Sequence, residues 1–140
     1  MWSGTMLTGV ALGGMLGALA RYALTVLLTP LLTRTGSVWA ALPWATLLIN
    51  VSGSFALGLI AALAARNVVS PEWRAAIGVG FLGAYTTFST FSVDLDGLLS
   101  RGEGWRATLY LLGNVGLGLL AAVGGRLLAG WLLVGRLVER

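Results

Sequence analysis

The sequence contains no cysteine, no histidine and no lysine. These absences exclude disulfides, thiolate metal sites, histidine proton relays and lysine Schiff-base chemistry. Acids are few and late: none precedes Glu72, and Asp94, Asp96, Glu103 and Glu139 complete the set. Only three prolines, Pro30, Pro43 and Pro71, interrupt the chain. Charged residues make up 10% of the 140 positions and hydrophobic residues 57%. That balance excludes an ordinary soluble domain and points to a membrane protein. All nine basic residues are arginines, scattered rather than clustered, so they fit membrane flanks better than a nucleic-acid surface.

Four long apolar stretches fill the chain. Met6 to Leu28 carries one charge, Arg21; Trp44 to Ala65, Ala75 to Val93 and Ala107 to Gly125 carry none. A spanning helix needs about 20 such residues. The expected fold is therefore an all-α membrane protein with four transmembrane helices, a single domain over residues 1–140. The breaks fall at Thr29 to Pro43, Arg66 to Trp73 and Leu99 to Arg106, with the prolines at or near helix ends. Residues 126–140 form a candidate amphipathic extension of the last helix. The first stretch lacks a basic leading region and is too long for a signal-peptide core of about 7–15 residues, so it reads as a retained helix. Trp39, Trp44, Trp73, Trp105 and Trp131 lie near the expected interfaces, as an aromatic belt does.

Arginine placement is nearly symmetric. Arg66, Arg74, Arg136 and Arg140 fall on one side of the membrane, and Arg34, Arg101 and Arg106 on the other. A chain so balanced has little preferred orientation, which predicts insertion both ways and an antiparallel homodimer; a weak bias that still fixes one topology is the competing reading. Four helices are also few for enclosing a pore, so conduction of any solute implies a homo-oligomer.

The polar residues inside the apolar stretches carry the functional signal. Gly9, Gly13 and Gly17 repeat every four residues and predict close helix packing. Asn50, Ser54 and Gly58 form a polar-to-small stripe on the second helix, and Tyr110, Asn114 and Gly118 form another on the fourth. A membrane amide either bonds a neighbouring helix or lines a pathway, and two stripes strengthen the pathway reading.

The third stretch holds Gly83-Ala-Tyr-Thr-Thr-Phe-Ser-Thr-Phe91, with Thr86, Thr87, Ser89 and Thr90 where lipid demands hydrocarbon. Unpaired polar groups there cost several kcal/mol, so the segment should face protein, water or an ion. Preceding glycines and competing hydroxyls predict a local break at Gly83 to Thr87, freeing carbonyls that a bound cation could satisfy. Phe88 and Phe91 share a face at i, i+3: either they pack, or their electropositive ring edges meet an anion. The acids are expected at helix ends or in loops, whereas Arg21 lies within the first helix, either snorkelling or making a vestibule electropositive. Together these residues ask for a small anion.

At this point the chain resembles a known family, the small bacterial fluoride channels called Fluc, or CrcB. The resemblance covers roughly Gly13 to Gly118. It rests on Gly13-Gly14-x-x-Gly17-Ala18-x-x-Arg21-Tyr22, Asn50-x-x-Gly53-Ser54-Phe55-x-x-Gly58 and Gly83-x-x-Thr86-Thr87-Phe88-Ser89-Thr90-Phe91, in order on three successive helices. It implies an antiparallel dual-topology homodimer in the bacterial cytoplasmic (inner) membrane, with two pores at the interface conducting fluoride passively. It implies that Phe88 and Phe91 present ring edges to fluoride, that Asn50 donates its amide, and that Ser89, Thr90, Tyr110 and Asn114 belong to the polar path. Arg21 would lie at the vestibule. The carbonyls of Gly83 and Thr86 would hold a structural sodium ion. Two positions depart from the family pattern: Ala84-Tyr85 replaces a smaller pair, and Asn114 stands where some members carry serine.

Other classes fit less well. Small multidrug exporters share the size and the dual topology but need a membrane-embedded glutamate in the first helix, and this chain has none. A non-conducting scaffold subunit accounts for the glycines but not for the hydroxyl–phenylalanine segment. An enzyme lacks support, because no base accompanies any serine or threonine.

Overall fold

The computed structural model describes residues 3–34 and 38–138, and the side-chain surroundings of 3–34 and 39–134. The described residues are helical, with no strand among them. α1 runs Gly4–Thr33, capped by the Ser3 hydroxyl accepting from the Met6 N–H. A short 3₁₀ turn, Val38–Ala41, leads to α2, Trp44–Ala64. The third span opens with α3, Pro71–Arg74, capped by Ser70 with Pro71 in its first turn. It widens into a π-helical stretch, Ala75–Leu82, then continues as α4, Gly83–Tyr85, and α5, Phe88–Ser100. The fourth span comprises α6, Gly104–Leu112, a π-helical turn, Gly113–Leu117, and α7, Gly118–Val138.

Among the described residues four helical segments are therefore long and apolar enough to cross a membrane: Gly4–Thr33, Trp44–Ala64, Pro71–Ser100 and Gly104–Val134. The connections are shorter than the sequence suggests. α1 carries Pro30 inside it and ends at Thr33, because a proline near the end of a helix removes one backbone bond without stopping the turn. Helix also extends through Arg126 to Val138, while Glu139 and Arg140 lie outside the described residues.

The four spans pack as two parallel pairs. α1 lies against the first half of the third span, and α2 against α7. Glycine sets both distances. A Cβ on Gly17 would run into the Phe81 carbonyl, and one on Gly80 would stand 2.7 Å from the Val10 carbonyl oxygen. In the second pair, a Cβ on Gly58 would meet the Ala122 backbone and one on Gly125 the Phe55 backbone. Lipid supplies no hydrophobic drive between helices, so such backbone-to-backbone approach is what holds them. The expected packing role of Gly9, Gly13 and Gly17 is met against Ala76 and Phe81.

A small core gathers Leu42, Leu47, Phe91, Leu98, Ala107 and Tyr110 where α2, α5 and α6 converge. At the same end the Trp39 and Trp105 rings meet edge to face at 5.7 Å, and the Arg106 guanidinium sits 5.2 Å from the Trp105 ring centre. Glu103, between the third and fourth spans, accepts from Arg106 at 2.6 Å and from Arg101 at 3.0 Å. The two arginines hold its carboxyl below the ordinary carboxylate range.

Candidate functional site: a polar groove beside an extended step in the third span

Thr86 and Thr87 are extended, at φ −77°, ψ 157° and φ −149°, ψ 117°, between α4 and α5. They lie near the middle of the Pro71–Ser100 segment, which is long and apolar enough to cross a membrane. Backbone groups there need named partners, because lipid offers none. The Thr87 N–H donates to Asn50 Oδ1 at 2.9 Å, and Asn50 Nδ2 donates to the Thr87 carbonyl at 3.1 Å. One side chain of α2 thus clamps both faces of one residue in the third span. The Thr87 hydroxyl in turn caps α5, accepting from the Thr90 N–H at 3.2 Å and donating to Thr90 Oγ1 at 3.0 Å.

Two consequences follow from simple accounting. In a continuous helix the Gly83 carbonyl would receive the Thr87 N–H, and the Thr86 carbonyl the Thr90 N–H. Both donors are taken by side chains, so neither carbonyl has its helical partner. The Leu82 carbonyl, by contrast, accepts from both the N–H and the hydroxyl of Thr86.

The stripes on α2 and the fourth span face each other in register. Asn50 Nδ2 donates to Asn114 Oδ1 at 3.0 Å, and Asn114 Nδ2 donates to the Tyr110 carbonyl at 3.0 Å. Ser54 lies beside Gly118, and Gly58 against Ala122. The π-helical turn at Gly113–Leu117 widens the helix where Asn114 projects, as such turns often do at functional sites.

Asn50, Ser54, Thr86, Thr87, Phe88, Phe91 and Asn114 line a groove of about 270 Å³. Phe88 is 80% exposed, whereas Phe91 is only 6% exposed. Their ring centres are 5.7 Å apart, and Phe91 rests on Tyr110 at 5.5 Å. One aromatic ring is thus rigidly seated, and the other projects from the subunit.

The remaining predicted residues distribute unevenly. Tyr110 is buried beneath Phe91, and its hydroxyl donates to Asp94 Oδ2 at 3.0 Å rather than into the groove. Ser89 is exposed, with its hydroxyl 3.3 Å from that of Thr87. Thr90 lines a second groove, of about 210 Å³, together with Thr25, Thr46 and Asp94. Arg21, on α1 one turn before Thr25, lines neither groove.

Asp94 corrects the expectation that every acid sits at a helix end or in a loop. It lies in the middle of α5 and accepts from both Thr46 at 2.9 Å and Tyr110 at 3.0 Å. Two hydroxyl donors let a carboxylate sit inside the bundle. The signal was present in the spacing: Phe88, Phe91 and Asp94 are three residues apart and so fall along one side of a helix. Of its partners, Tyr110 already stood out on the fourth-helix stripe, and Thr46 lies one helical turn before Asn50.

Residues 8–126 match the family described as CrcB-like protein, Camphor Resistance (CrcB). Three relatives each bear the name fluoride-specific ion channel FluC. The protein of Deinococcus radiodurans is 56% identical over 119 residues, 85% of this chain and 90% of its own length. That of Thermus thermophilus is 44% identical over 124 residues, 89% of this chain and 94% of its own. The Synechocystis protein is 40% identical over 121 residues, 86% of this chain and 88% of its own. With four helices able to span a membrane, a polar groove beside the middle of the third and this likeness along most of its length, the chain belongs to the CrcB family.

Proposed function

We propose that the protein is a passive fluoride channel, working as an antiparallel dual-topology homodimer in the bacterial cytoplasmic (inner) membrane. The observation that carries this reading is Phe88, 80% exposed at the lip of a polar groove while Phe91 beside it is buried. A groove open on one side is half a conduit, and a second copy would close it. Within one subunit only 6% of the apolar stretch of the first span and 28% of that of the third are buried, so much surface awaits lipid or a partner. Two copies related by a two-fold axis would form two such conduits. The near-balanced arginines support insertion in both orientations.

In the pore, fluoride must exchange its tightly held water for well-placed donors, yet bind weakly enough to leave. Phe88 and Phe91 would offer electropositive ring edges. Asn50 and Asn114 would supply the polar lining of this groove, Ser89 and the second groove at Thr90 would extend the polar path beside it, with Tyr110 beneath, and Arg21 would raise the potential at a vestibule. Fluoride entering an acid-stressed cell as HF ionises in the cytoplasm. A passive pore then lets a negative interior drive the anion out, at about 2.3 kcal/mol per charge per 100 mV. Export of this kind lowers fluoride toxicity.

A structural sodium ion fits the extended step. The Gly83 and Thr86 carbonyls, deprived of their helical donors, would be hard oxygen ligands, and a cation between two copies would satisfy both. Such an ion would bind the subunits together.

The test is anion efflux from liposomes containing purified protein, with valinomycin carrying compensating potassium. Rapid loss of fluoride with little loss of chloride is the expected result. Equal loss of both would remove selectivity, and loss of neither from folded protein would overturn the channel reading in favour of a scaffold.

A further inference from the structure

We propose that Asn50 is the positioning residue of the cation site, the group that keeps the Gly83 carbonyl free to bind. This rests on the proposed reading in which the Gly83 and Thr86 carbonyls hold sodium. The resemblance implies that the Asn50 amide donates to the anion, but hydrogen-bond accounting gives it another task. The Thr87 N–H donates to Oδ1, so the amide cannot be turned over. Its Nδ2 then faces two acceptors, the Thr87 carbonyl at 3.1 Å and Asn114 Oδ1 at 3.0 Å. An amide nitrogen has two hydrogens, and both are engaged.

What Asn50 does is take the Thr87 N–H away from the residue four positions back. In its absence the acceptor that a continuous helix assigns to that N–H is the Gly83 carbonyl, and the span would zip into continuous helix. The carbonyl would then be consumed by a backbone bond instead of facing a cation. Asn114 locks the clamp: its Oδ1 accepts from Asn50 while its Nδ2 is tied to the Tyr110 carbonyl, which fixes the Asn50 rotamer. This gives the amide at position 114 a task that comes from its two-sided hydrogen bonding. An oxygen ligand that must be kept free by an outer partner is the usual relation between a metal's ligands and their supporting shell.

The experiment is a sodium titration of thermal unfolding of the purified full-length protein in detergent, with N-methylglucamine holding ionic strength constant. For the wild type, the midpoint temperature should rise with sodium and saturate. Asn50→Leu should raise the half-saturating sodium concentration by at least about tenfold, the scale of outer-shell losses. Asn114→Ala should give a smaller increase, because both Asn50–Thr87 bonds remain. Asn50→Asp should stay closer to the wild type than Asn50→Leu does, because a carboxylate oxygen still accepts the Thr87 N–H even though both Nδ2 donations are lost. A merely structural asparagine predicts the opposite order, with the charged variant worst. A wild-type sodium response in Asn50→Leu, or a lost one in folded Asn50→Asp, overturns the proposal. If Asn50→Leu does not fold, Asn50→Asp decides alone. Fluoride efflux on the same preparations separates the two readings. A sodium response without fluoride flux removes the channel and leaves the role of Asn50 standing. Flux without any sodium response in the wild type removes the cation and this inference with it.

Discussion

Replacing Gly58 by alanine tests whether helix spacing and groove chemistry are one property. The new Cβ would stand 2.9 Å from the Ala122 carbonyl carbon and 3.0 Å from its Cα, closer to the oxygen, and ordinary contact begins at 3.4 Å. Both obstacles are backbone, so neither can rotate aside. Relief requires α2 and α7 to part by about 0.5–1 Å, and overpacking of this kind costs about 1–3 kcal/mol. Two turns away, the Asn50–Asn114 bond is 3.0 Å long. The same separation would carry it past 3.5 Å, where little of a hydrogen bond remains. Gly58→Ala should therefore lower the folded-to-unfolded ratio by roughly fivefold to 150-fold, and also slow fluoride efflux, although it touches no groove polar group. Stability would be read by equilibrium unfolding in mixed detergent micelles, and flux from liposomes. Gly104→Ala is the control, with nothing within 4 Å of its Cβ. If Gly58→Ala matches that control in both assays, the close approach does not set the spacing and the reasoning fails.

Three further outcomes follow from named contacts. Phe91→Ala should destabilise the subunit by about 3–5 kcal/mol, as buried phenylalanines do, whereas Phe88→Ala, 80% exposed, should leave subunit unfolding unchanged and remove flux; equal stability loss in both would contradict the seating. Thr46→Val and Tyr110→Phe each remove a hydroxyl donor from the same Asp94 oxygen, so their double-mutant cycle should show coupling of roughly 0.5–2 kcal/mol, and strict additivity would mean that Asp94 is not shared. Glu103, its pKa lowered by Arg106 and then Arg101, contributes stability that is present above the unfolded carboxylate pKa and lost as pH falls through the lower folded value. Glu103→Gln should flatten that acid limb of the unfolding curve, and an unchanged limb would assign it to another acid.

The four spans were legible in sequence because length, apolar content and scarce charge suffice to define a helix in lipid. The family was legible for a different reason: amide, hydroxyls and paired phenylalanines stand at fixed spacing in Asn50 to Gly58 and Gly83 to Phe91, in order on successive helices. Helix ends were partly legible: Pro71 opens its helix as a proline at a helix end should, whereas α1 runs on past Pro30 to Thr33. Asp94 was misplaced because a linear reading treats an acid as a boundary. Inside the bundle, Thr46 arrives from another span to satisfy it.

The sequence by itself determined that this chain crosses a membrane, which residues are too polar to face lipid, and that Gly9, Gly13 and Gly17 lie at a helix contact. Those follow from solvent chemistry and period, both local. Only the tertiary structure decided what each polar group bonds to. It paired the stripes of α2 and the fourth span in register, seated Phe91 while leaving Phe88 exposed, and turned the Asn50 amide onto the Thr87 backbone. A hydrogen bond depends on distances of a few tenths of an ångström between residues far apart in the chain, and only packed helices fix those.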